Sequence, residues 1–166
     1  MTDFTIRPAT RADDDTIWAI IGPAFAAGET YVVPRDISRP DALAYWHSPG
    51  HHVFVAEDAN GTVGTYYLRA NQKGGGAHVA NCGYIVRPDT AGRGVARAMA
   101  SHSFEEARRR GFRAMQFNFV VSSNERAVRL WQSLGFDIVG RLPGAFEHPR
   151  LGFVDAFVMF RALTPA

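Results

Sequence analysis

The sequence predicts one domain of the α/β (α+β) class, with a central sheet of seven strands, mixed but mostly antiparallel, flanked by about four helices. Its 166 residues suit a single domain, and no linker or change in composition divides them, so the predicted domain spans residues 1–166. Strand patterns joined by tight turns fill the middle of the chain, and strand and helix patterns alternate after it. A meander of antiparallel strands followed by β-α-β alternation is typical of a mixed sheet covered by helices.

The first third of the chain predicts one strand and two helices. Residues 4–8 alternate weakly between apolar and polar side chains, as a short strand does. The motif Thr10-x-x-Asp13 is typical of a capping box, in which the two side chains satisfy free amides at the start of a helix. A second short helix is predicted over 40–47, before Pro49-Gly50. The apolar residues of the first helix recur at helical spacing at Ile17, Ile20, Ile21 and Ala24.

The middle of the chain predicts three consecutive strands, over 53–56, 63–70 and 78–86. Asn60-Gly61, a strong hairpin signal, separates the first two strands, and a glycine-rich turn at 73–76 separates the second from the third. Turns this short join antiparallel neighbours, so these strands form the predicted meander.

The last part of the chain predicts alternating helices and strands. A helix ending at Gly111 is followed by an apolar, β-branched and aromatic run over 114–121, typical of a buried strand. Asn124 caps the next helix, and two final strands are predicted over 137–142 and 154–161. Between these strands lie 11 residues, 143–153, which predict a loop long enough to cover a ligand.

Composition and charge exclude several classes of protein. The formal net charge is +2 and the sequence pI is about 9.0, which is compatible with an anionic small ligand but too weakly basic to indicate nucleic-acid binding. The N-terminus lacks the apolar stretch of a signal peptide and no apolar run is long enough to span a membrane, so we expect a cytoplasmic protein without a membrane partner. With Cys82 as the one cysteine, and with scattered carboxylates, the sequence predicts neither a disulfide nor a metal site.

The segment from Tyr84 to Ala96 carries the clearest functional signal, because it places a strand and then a glycine-bearing turn directly before a helix. Glycines let the backbone approach a ligand, and the first amides of a helix have no partner within it. Together with the helix dipole, these donors favour a phosphate or pyrophosphate. Arg93 and Arg97 add positive charge, although a lone Gly-x-Gly is more often a tight turn.

Two motifs resemble those of the GCN5-related N-acetyltransferase (GNAT) superfamily. The segment 91–96 matches the pattern [Gln/Arg]-x-x-Gly-x-[Gly/Ala] at the Gly position with Gly94 and at the Gly/Ala position with Ala96, and it has Ala91 where Gln or Arg is usual. The segment 124–136 matches a second pattern, Asn-x-x-Ala-x-x-Leu-Tyr-x-x-x-Gly-Phe, with Trp131 at the tyrosine position. The two motifs follow in the right order, separated by one helix and one strand.

This resemblance implies a GNAT-like domain that binds acetyl-coenzyme A (acetyl-CoA) as co-substrate, without a metal. It implies that the pantetheine arm pairs with the backbone of Ile85 and Val86. The pyrophosphate is then expected to accept from main-chain amides of the glycine turn and helix start. The cofactor-binding residues so implied are Ile85, Val86, Ala91, Gly92, Arg93, Gly94, Val95, Ala96, Arg97, Asn124, Ala127 and Trp131.

The resemblance also implies direct attack of an amine on the thioester in a ternary complex, with two catalytic groups. A backbone N–H near Val86 is expected to stabilise the oxyanion. Asn124 is expected to assist the leaving thiolate, because Trp131 replaces the usual tyrosine and an indole N–H has negligible acidity. For Trp131 itself, core packing is the favoured interpretation.

For the acceptor, substrate contacts are expected at Asn81, Asn118 and Tyr84. For Asn118, an amide within an apolar strand, a hydrogen bond to a neighbouring bulge is an equal alternative. Many relatives carry a glutamate base at the position of Asn81; an amide cannot accept the proton, so Asn81 is expected to orient the substrate. The general base stays open between His78, Glu57, Glu147 and water.

A narrower resemblance, to acetyltransferases of azetidine-2-carboxylate and related proline analogues, implies a small amino-acid-like amine as acceptor. It rests on Asn124 and on the segments Gly64-Thr65-Tyr66, His78-x-x-Asn81-x-Gly83-Tyr84-x-Val86-x-Pro88, Phe117-Asn118 and Gly140-Arg141. Two other functions stay open, namely acetylation of a protein N-terminus or lysine and non-catalytic binding of an acyl-CoA. The resemblance is also compatible with a homodimer, and the loop 143–153 is expected to help shape the acceptor pocket.

Overall fold

The computed structural model describes residues 4–164. A seven-stranded sheet crosses the molecule in the order β1-β2-β3-β4-β5-β7-β6, and β4–β5 is its one parallel pair. This confirms the predicted fold class. The strands are β1 (Thr5–Pro8), β2 (His52–Asp58), β3 (Gly61–Ala70), β4 (Val79–Val86), β5 (Ala114–Val121), β6 (Asp137–His148) and β7 (Gly152–Ala162). The helices are α1 (Asp14–Ala27), α2 (Arg39–Trp46), α3 (Val95–Arg109) and α4 (Glu125–Ser133).

Each face of the sheet has its own hydrophobic core, because side chains alternate between the faces along each strand. Tyr67 of β3 packs with α1 and α2 on one face, whereas Tyr66 and Leu68 pack with α3 and α4 on the other. The helices therefore cover the sheet on both sides. Within residues 4–164, no helix is long and apolar enough to cross a membrane.

The start of α1 confirms the predicted capping motif. The Thr10 N–H donates to Asp13 Oδ2 at 2.7 Å, and the chain then makes one 3₁₀ turn before α1 begins at Asp14. Arg7 of β1 donates to both oxygens of Asp13 as well, at 2.8 and 2.9 Å. This carboxylate therefore ties the first strand to the first helix.

The predicted loop over 143–153 is wrong, because strands β6 and β7 continue through it as a long hairpin. Their register resumes beyond an irregularity between Leu142 and Phe146, and it ends at the pair His148–Gly152. The irregularity contains Pro143, which has no N–H to contribute to the ladder. The first of the residues predicted as a loop thus form a bulge within a strand. The hairpin does not line the cavity described below.

Strands β4 and β5 pair over two residues only, Val79 with Ala114 and Ala80 with Met115. Beyond these pairs the two strands diverge and leave a gap in the middle of the sheet. A bulge in β5 between Phe117 and Val120 bends that strand further along the same gap.

Candidate active site

A cavity of about 260 Å³ lies where β4 and β5 diverge. It is lined from both faces of the sheet, so the two sides of the molecule meet in this gap. From the α1–α2 side the lining includes Tyr31, Tyr45 and Tyr67, and from the α3–α4 side it includes Phe117, Ala127 and Trp131.

The edge of β4 that faces the gap carries free backbone groups. The Asn71 N–H donates to the Val79 carbonyl and the Arg87 N–H donates to the Val63 carbonyl, each at 2.8 Å. Since hydrogen-bonded positions alternate in an antiparallel pair, the odd-numbered residues of β4 direct their peptide groups to β3. Tyr84 and Val86 therefore direct their N–H groups into the gap.

The same alternation separates two residues that the sequence grouped together. Val86 presents its amide to the gap, but the peptide groups of Ile85 belong to the ladder with β3. The main-chain N–H and carbonyl of Ile85 are therefore not available to a ligand in the gap, which can only pack near this residue.

The start of α3 presents a second set of backbone donors. Gly92 and Gly94 both adopt left-handed φ values, 84° and 88°, which allow the chain to make a tight turn before α3. The first amide that bonds back to the turn is that of Ala98, which donates to the Gly94 carbonyl at 2.9 Å. The amides of Val95, Ala96 and Arg97 precede it and have no acceptor in the helix. A Cβ on Gly94 would meet nothing within 4 Å, so the space beside Gly94 at the start of this helix is open.

Three arginines surround this turn, and they differ in whether their side chains already bond another residue of the protein. Arg93 forms an ion pair with Asp58 at 2.7 Å, and Arg97 donates to Ser133 Oγ at 2.8 Å. Arg126 reaches the turn from α4, and its Nη2 lies 3.7 Å from the position of a Cβ on Gly92. Arg126 has no ion pair or side-chain hydrogen bond with another residue of the described chain. Sequence analysis missed Arg126, because it occupies an unspecified position of the second motif.

Asn124 caps α4 as predicted and also lines the cavity. Its Oδ1 accepts the Ala127 N–H at 3.4 Å, which satisfies one free amide of the helix. The side-chain Nδ2 is left as a donor at the cavity. Trp131, two turns along α4, packs its ring against Phe117 with centroids 4.8 Å apart and forms one wall.

Asn81 lies at the closed end of the gap and is buried. Its Nδ2 donates across the diverging strands to the Gln116 carbonyl at 2.9 Å, and its Oδ1 accepts from Arg69 Nε at 3.4 Å. Asn118, expected to share substrate contact, also lines the cavity and is exposed at the β5 bulge. Its amide bonds Asn71 at 2.7 Å and Gln116 at 2.9 Å.

Tyr84 faces the cavity with its ring and its backbone, while its hydroxyl points into the core and lies 2.6 Å from Ser103 Oγ. Burial raises the pKa of this phenol well above its usual value. The Tyr84 carbonyl, on the gap side, accepts a hydrogen bond from the Tyr31 hydroxyl at 3.2 Å. Cys82 is buried beside it, and burial raises the pKa of its thiol to about 12, so it stays protonated at neutral pH.

Charged residues are nearly absent from the cavity wall. None of the side chains proposed as general base, His78, Glu57 or Glu147, lines it, and Arg69 is the one charged residue among the described lining residues. Of the open choices for the base, water is the one that can reach the cavity. Sequence analysis also missed the α1–α2 wall, because Tyr31, Tyr45 and Tyr67 come from the loop after α1, from α2 and from β3 and form no motif.

Comparison with known proteins gives a consistent result. Residues 18–136 match the acetyltransferase (GNAT) family. N-acetyltransferase aca1 of Schizosaccharomyces pombe is 32% identical over 97 residues, which are 58% of this chain and 46% of that protein, so the chain spans about half the length of this relative. L-methionine sulfoximine/L-methionine sulfone acetyltransferase of Salmonella typhimurium is 29% identical over 84% of each chain.

Two solved structures share the fold over nearly the whole chain. A GCN5-related N-acetyltransferase from Kribbella flavida superposes with a TM-score of 0.90 at 40% identity, covering 96% of this chain and 97% of that one. The protein yncA from Salmonella typhimurium, solved with its cofactor acetyl-CoA, gives a TM-score of 0.84 at 26% identity and covers 99% and 96%.

Proposed function

The chain belongs to the acetyltransferase (GNAT) family, and from this premise we propose that it transfers the acetyl group of acetyl-CoA to the amine of a small amino-acid-like molecule. The transfer is a direct attack in a ternary complex. The observation that carries this proposal is the gap between β4 and β5. Backbone N–H groups of β4 face this gap, and side chains from both faces of the sheet line it. Two substrates can therefore meet there from opposite sides.

The residues around the gap fit acetyl-CoA. The free amides of Val95, Ala96 and Arg97, with the left-handed Gly92 and Gly94 before them, suit a pyrophosphate, and Arg126 adds positive charge at Gly92. The free edge of β4 at Val86 suits the amide groups of pantetheine, with Ala127 and Trp131 as the facing wall. The acetyl-CoA bound by yncA, a structural relative at 26% identity, supports this choice of ligand.

The reaction requires a new C–N bond and loss of the C–S bond. A neutral amine attacks the thioester carbonyl carbon, and the gap-facing N–H groups at Tyr84 and Val86 are positioned to donate to the developing oxyanion. The Asn124 amide donates to the departing thiolate, whose ordinary pKa near 8.5 makes departure as an anion feasible. The amine proton leaves through water, since no described carboxylate or histidine lines the cavity.

The cavity wall favours a small amino-acid-like acceptor over a cationic one. A lysine side chain or a peptide N-terminus brings a positive charge with no carboxylate beside it into a site whose one charged lining residue among the described residues is Arg69, which costs free energy. An amino acid brings an ammonium and a carboxylate together, so its net charge is zero. The relative from Salmonella typhimurium is named for two methionine analogues, which are amino acids. Azetidine-2-carboxylate, implied by the narrower sequence resemblance, belongs to the same chemical class and stays a prediction.

The test measures thiol release from acetyl-CoA with a panel of amines and identifies each product by mass spectrometry. The panel contains azetidine-2-carboxylate, L-methionine sulfone, a lysine peptide and a peptide with a free N-terminus. We expect N-acetylation of at least one amino acid and no faster release with the peptides. Peptide acetylation alone would favour a protein acetyltransferase. Calorimetric binding of acetyl-CoA with no turnover would favour a non-catalytic module.

A further inference from the structure

We propose that Arg69 binds the carboxylate of the acceptor and so selects amino acids over amines that lack an acid group. This inference rests on the proposed function, because it assigns the specificity of the same cavity. It starts from the one formal charge on the described cavity wall, which has no anionic partner of its own.

Arg69 lies on the face of the sheet that the acceptor is expected to approach. It is two residues after Tyr67 on β3, so both side chains project to the α1–α2 side. Its partner in the register is Asn81, at the closed end of the gap. The guanidinium therefore lies beside the gap and opposite the helix that offers the pyrophosphate site.

The hydrogen bonds of Arg69 leave its binding edge free. Nε donates to Asn81 Oδ1 at 3.4 Å, which orients the guanidinium plane, whereas neither Nη atom bonds a described residue. Two parallel N–H groups of an arginine match the two oxygens of a carboxylate. By contrast, Arg7, Arg93 and Arg141 all form ion pairs with carboxylates of the protein.

The position of Arg69 also suits the geometry of an α-amino acid. In such a molecule the amine is one carbon away from the carboxylate, so fixing the carboxylate on Arg69 restricts where the nitrogen can lie. Beyond Asn81, the first gap-facing backbone N–H on β4 is that of Cys82, and the first of those assigned to the oxyanion is that of Tyr84, three residues or about 10 Å from Asn81 along the strand. The arginine side chain and the substrate together bridge this length, which directs the amine toward the thioester.

The test compares two acids with their primary carboxamides as acceptors, azetidine-2-carboxylate and L-methionine sulfone. Wild-type protein, Arg69→Gln, Arg69→Lys and the control Arg11→Gln are assayed for kcat and KM with each acceptor. Arg11 is exposed on the turn before α1 and does not line the cavity. Calorimetry measures the affinity of each variant for acetyl-CoA, and circular dichroism checks that each is folded.

We expect Arg69→Gln to raise KM for the acids by about tenfold to a hundredfold, as loss of a hydrogen bond to a charged group does. The KM values for the carboxamides should change little. Arg69→Lys should lower the KM for the acids part of the way back, and Arg11→Gln should give the wild-type KM. Equal effects on acids and carboxamides, or no effect on either, would overturn the role of Arg69 while leaving the proposed function standing. If the wild type binds acetyl-CoA and acetylates neither acid, the amino-acid acceptor and the role of Arg69 both fail. If acetyl-CoA does not bind at all, the proposed function fails first and this inference with it.

Discussion

The Asn81 side chain donates to the backbone carbonyl of Gln116 at 2.9 Å and thereby closes the fork between β4 and β5. Main-chain pairing between these parallel strands stops one residue earlier, at Ala80 and Met115. A side-chain amide thus replaces the next bond of the ladder at the point where the gap opens. Substrate orientation by Asn81 stays a prediction, but this bond gives the residue a structural role as well.

Replacing Asn81 by Leu should destabilise the protein by about 1–3 kcal/mol, because the half-buried Gln116 carbonyl then loses its donor. The matched control is Asn118→Ala, which removes an exposed amide and should cost less than about 0.5 kcal/mol. Urea unfolding of both variants measures the difference. Equal stabilities would show that the fork does not depend on the Asn81 bond.

Asn124 should act on turnover more than on affinity for acetyl-CoA. In Asn124→Ser the hydroxyl can still cap α4, but the amide donor is lost, and we expect kcat to fall about tenfold to a hundredfold. Asn124→Ala loses the cap too, so it should unfold with about 1 kcal/mol less free energy than the serine variant. Steady-state kinetics, calorimetry and urea unfolding separate the two effects, and a loss of affinity alone would remove the assigned role.

A bulky residue at Gly94 should block binding of acetyl-CoA. Gly94 and Gly111 flank α3 with nearly the same φ, 88° and 86°, and a Cβ at either position meets nothing within 4 Å. Gly94→Val and Gly111→Val should therefore suffer similar backbone strain, about 1–2 kcal/mol. Only Gly94→Val should abolish the calorimetric heat of acetyl-CoA binding. Retained affinity in Gly94→Val would place the pyrophosphate elsewhere.

Gly83 permits the aromatic wall of the cavity to close on β4. A Cβ at this position would lie 2.6 Å from the Tyr67 ring and 2.9 Å from the Tyr31 hydroxyl. Gly83→Ala should therefore cost about 1–3 kcal/mol in stability by overpacking and should raise KM for the acceptor by displacing these rings. The control is Gly140→Ala, where the added Cβ would lie at an ordinary 3.7 Å from Val158. Matching KM and stability for the two variants would contradict this account.

The Arg7–Asp13 pair should make stability depend on pH in the acid range. Hydrogen bonds from Arg7 are the main cause that lowers the pKa of Asp13 from 3.8 to about 2. Because the folded pKa lies below the unfolded one, the stabilisation is complete above about pH 4 and is lost as pH falls through 2. Arg7 is partly exposed, so solvent screening limits the effect to about 1 kcal/mol.

The measurement is the free energy of unfolding in urea between pH 2 and pH 7. Asp13→Asn should lower the stability at pH 7 and flatten the profile below about pH 4. Asp36→Asn, at an exposed carboxylate without an ion pair among the described residues, should reproduce the wild-type curve. A wild-type profile without an acid slope would contradict the role of Asp13.

The sequence by itself determined the elements and the family of this protein. The strand over 114–121 and the caps at Thr10 and Asn124 follow from local periodicity and from the hydrogen bonds that helix ends require. The two glycine- and asparagine-containing motifs identified the superfamily because each lies within one continuous turn and helix. These features depend on neighbours along the chain, which a sequence displays directly.

Only the tertiary structure decided which side chains meet in the cavity. Arg69, Tyr31 and Tyr67 come together through strand register and through the divergence of β4 from β5. The local periodicity of the sequence predicts neither the register nor the divergence. The same long-range pairing exposed Asn118 at a bulge and extended β6 and β7 through residues predicted as a loop. Contacts between distant segments depend on how the whole sheet pairs and bends, so the acceptor side of the site became visible only in the folded molecule.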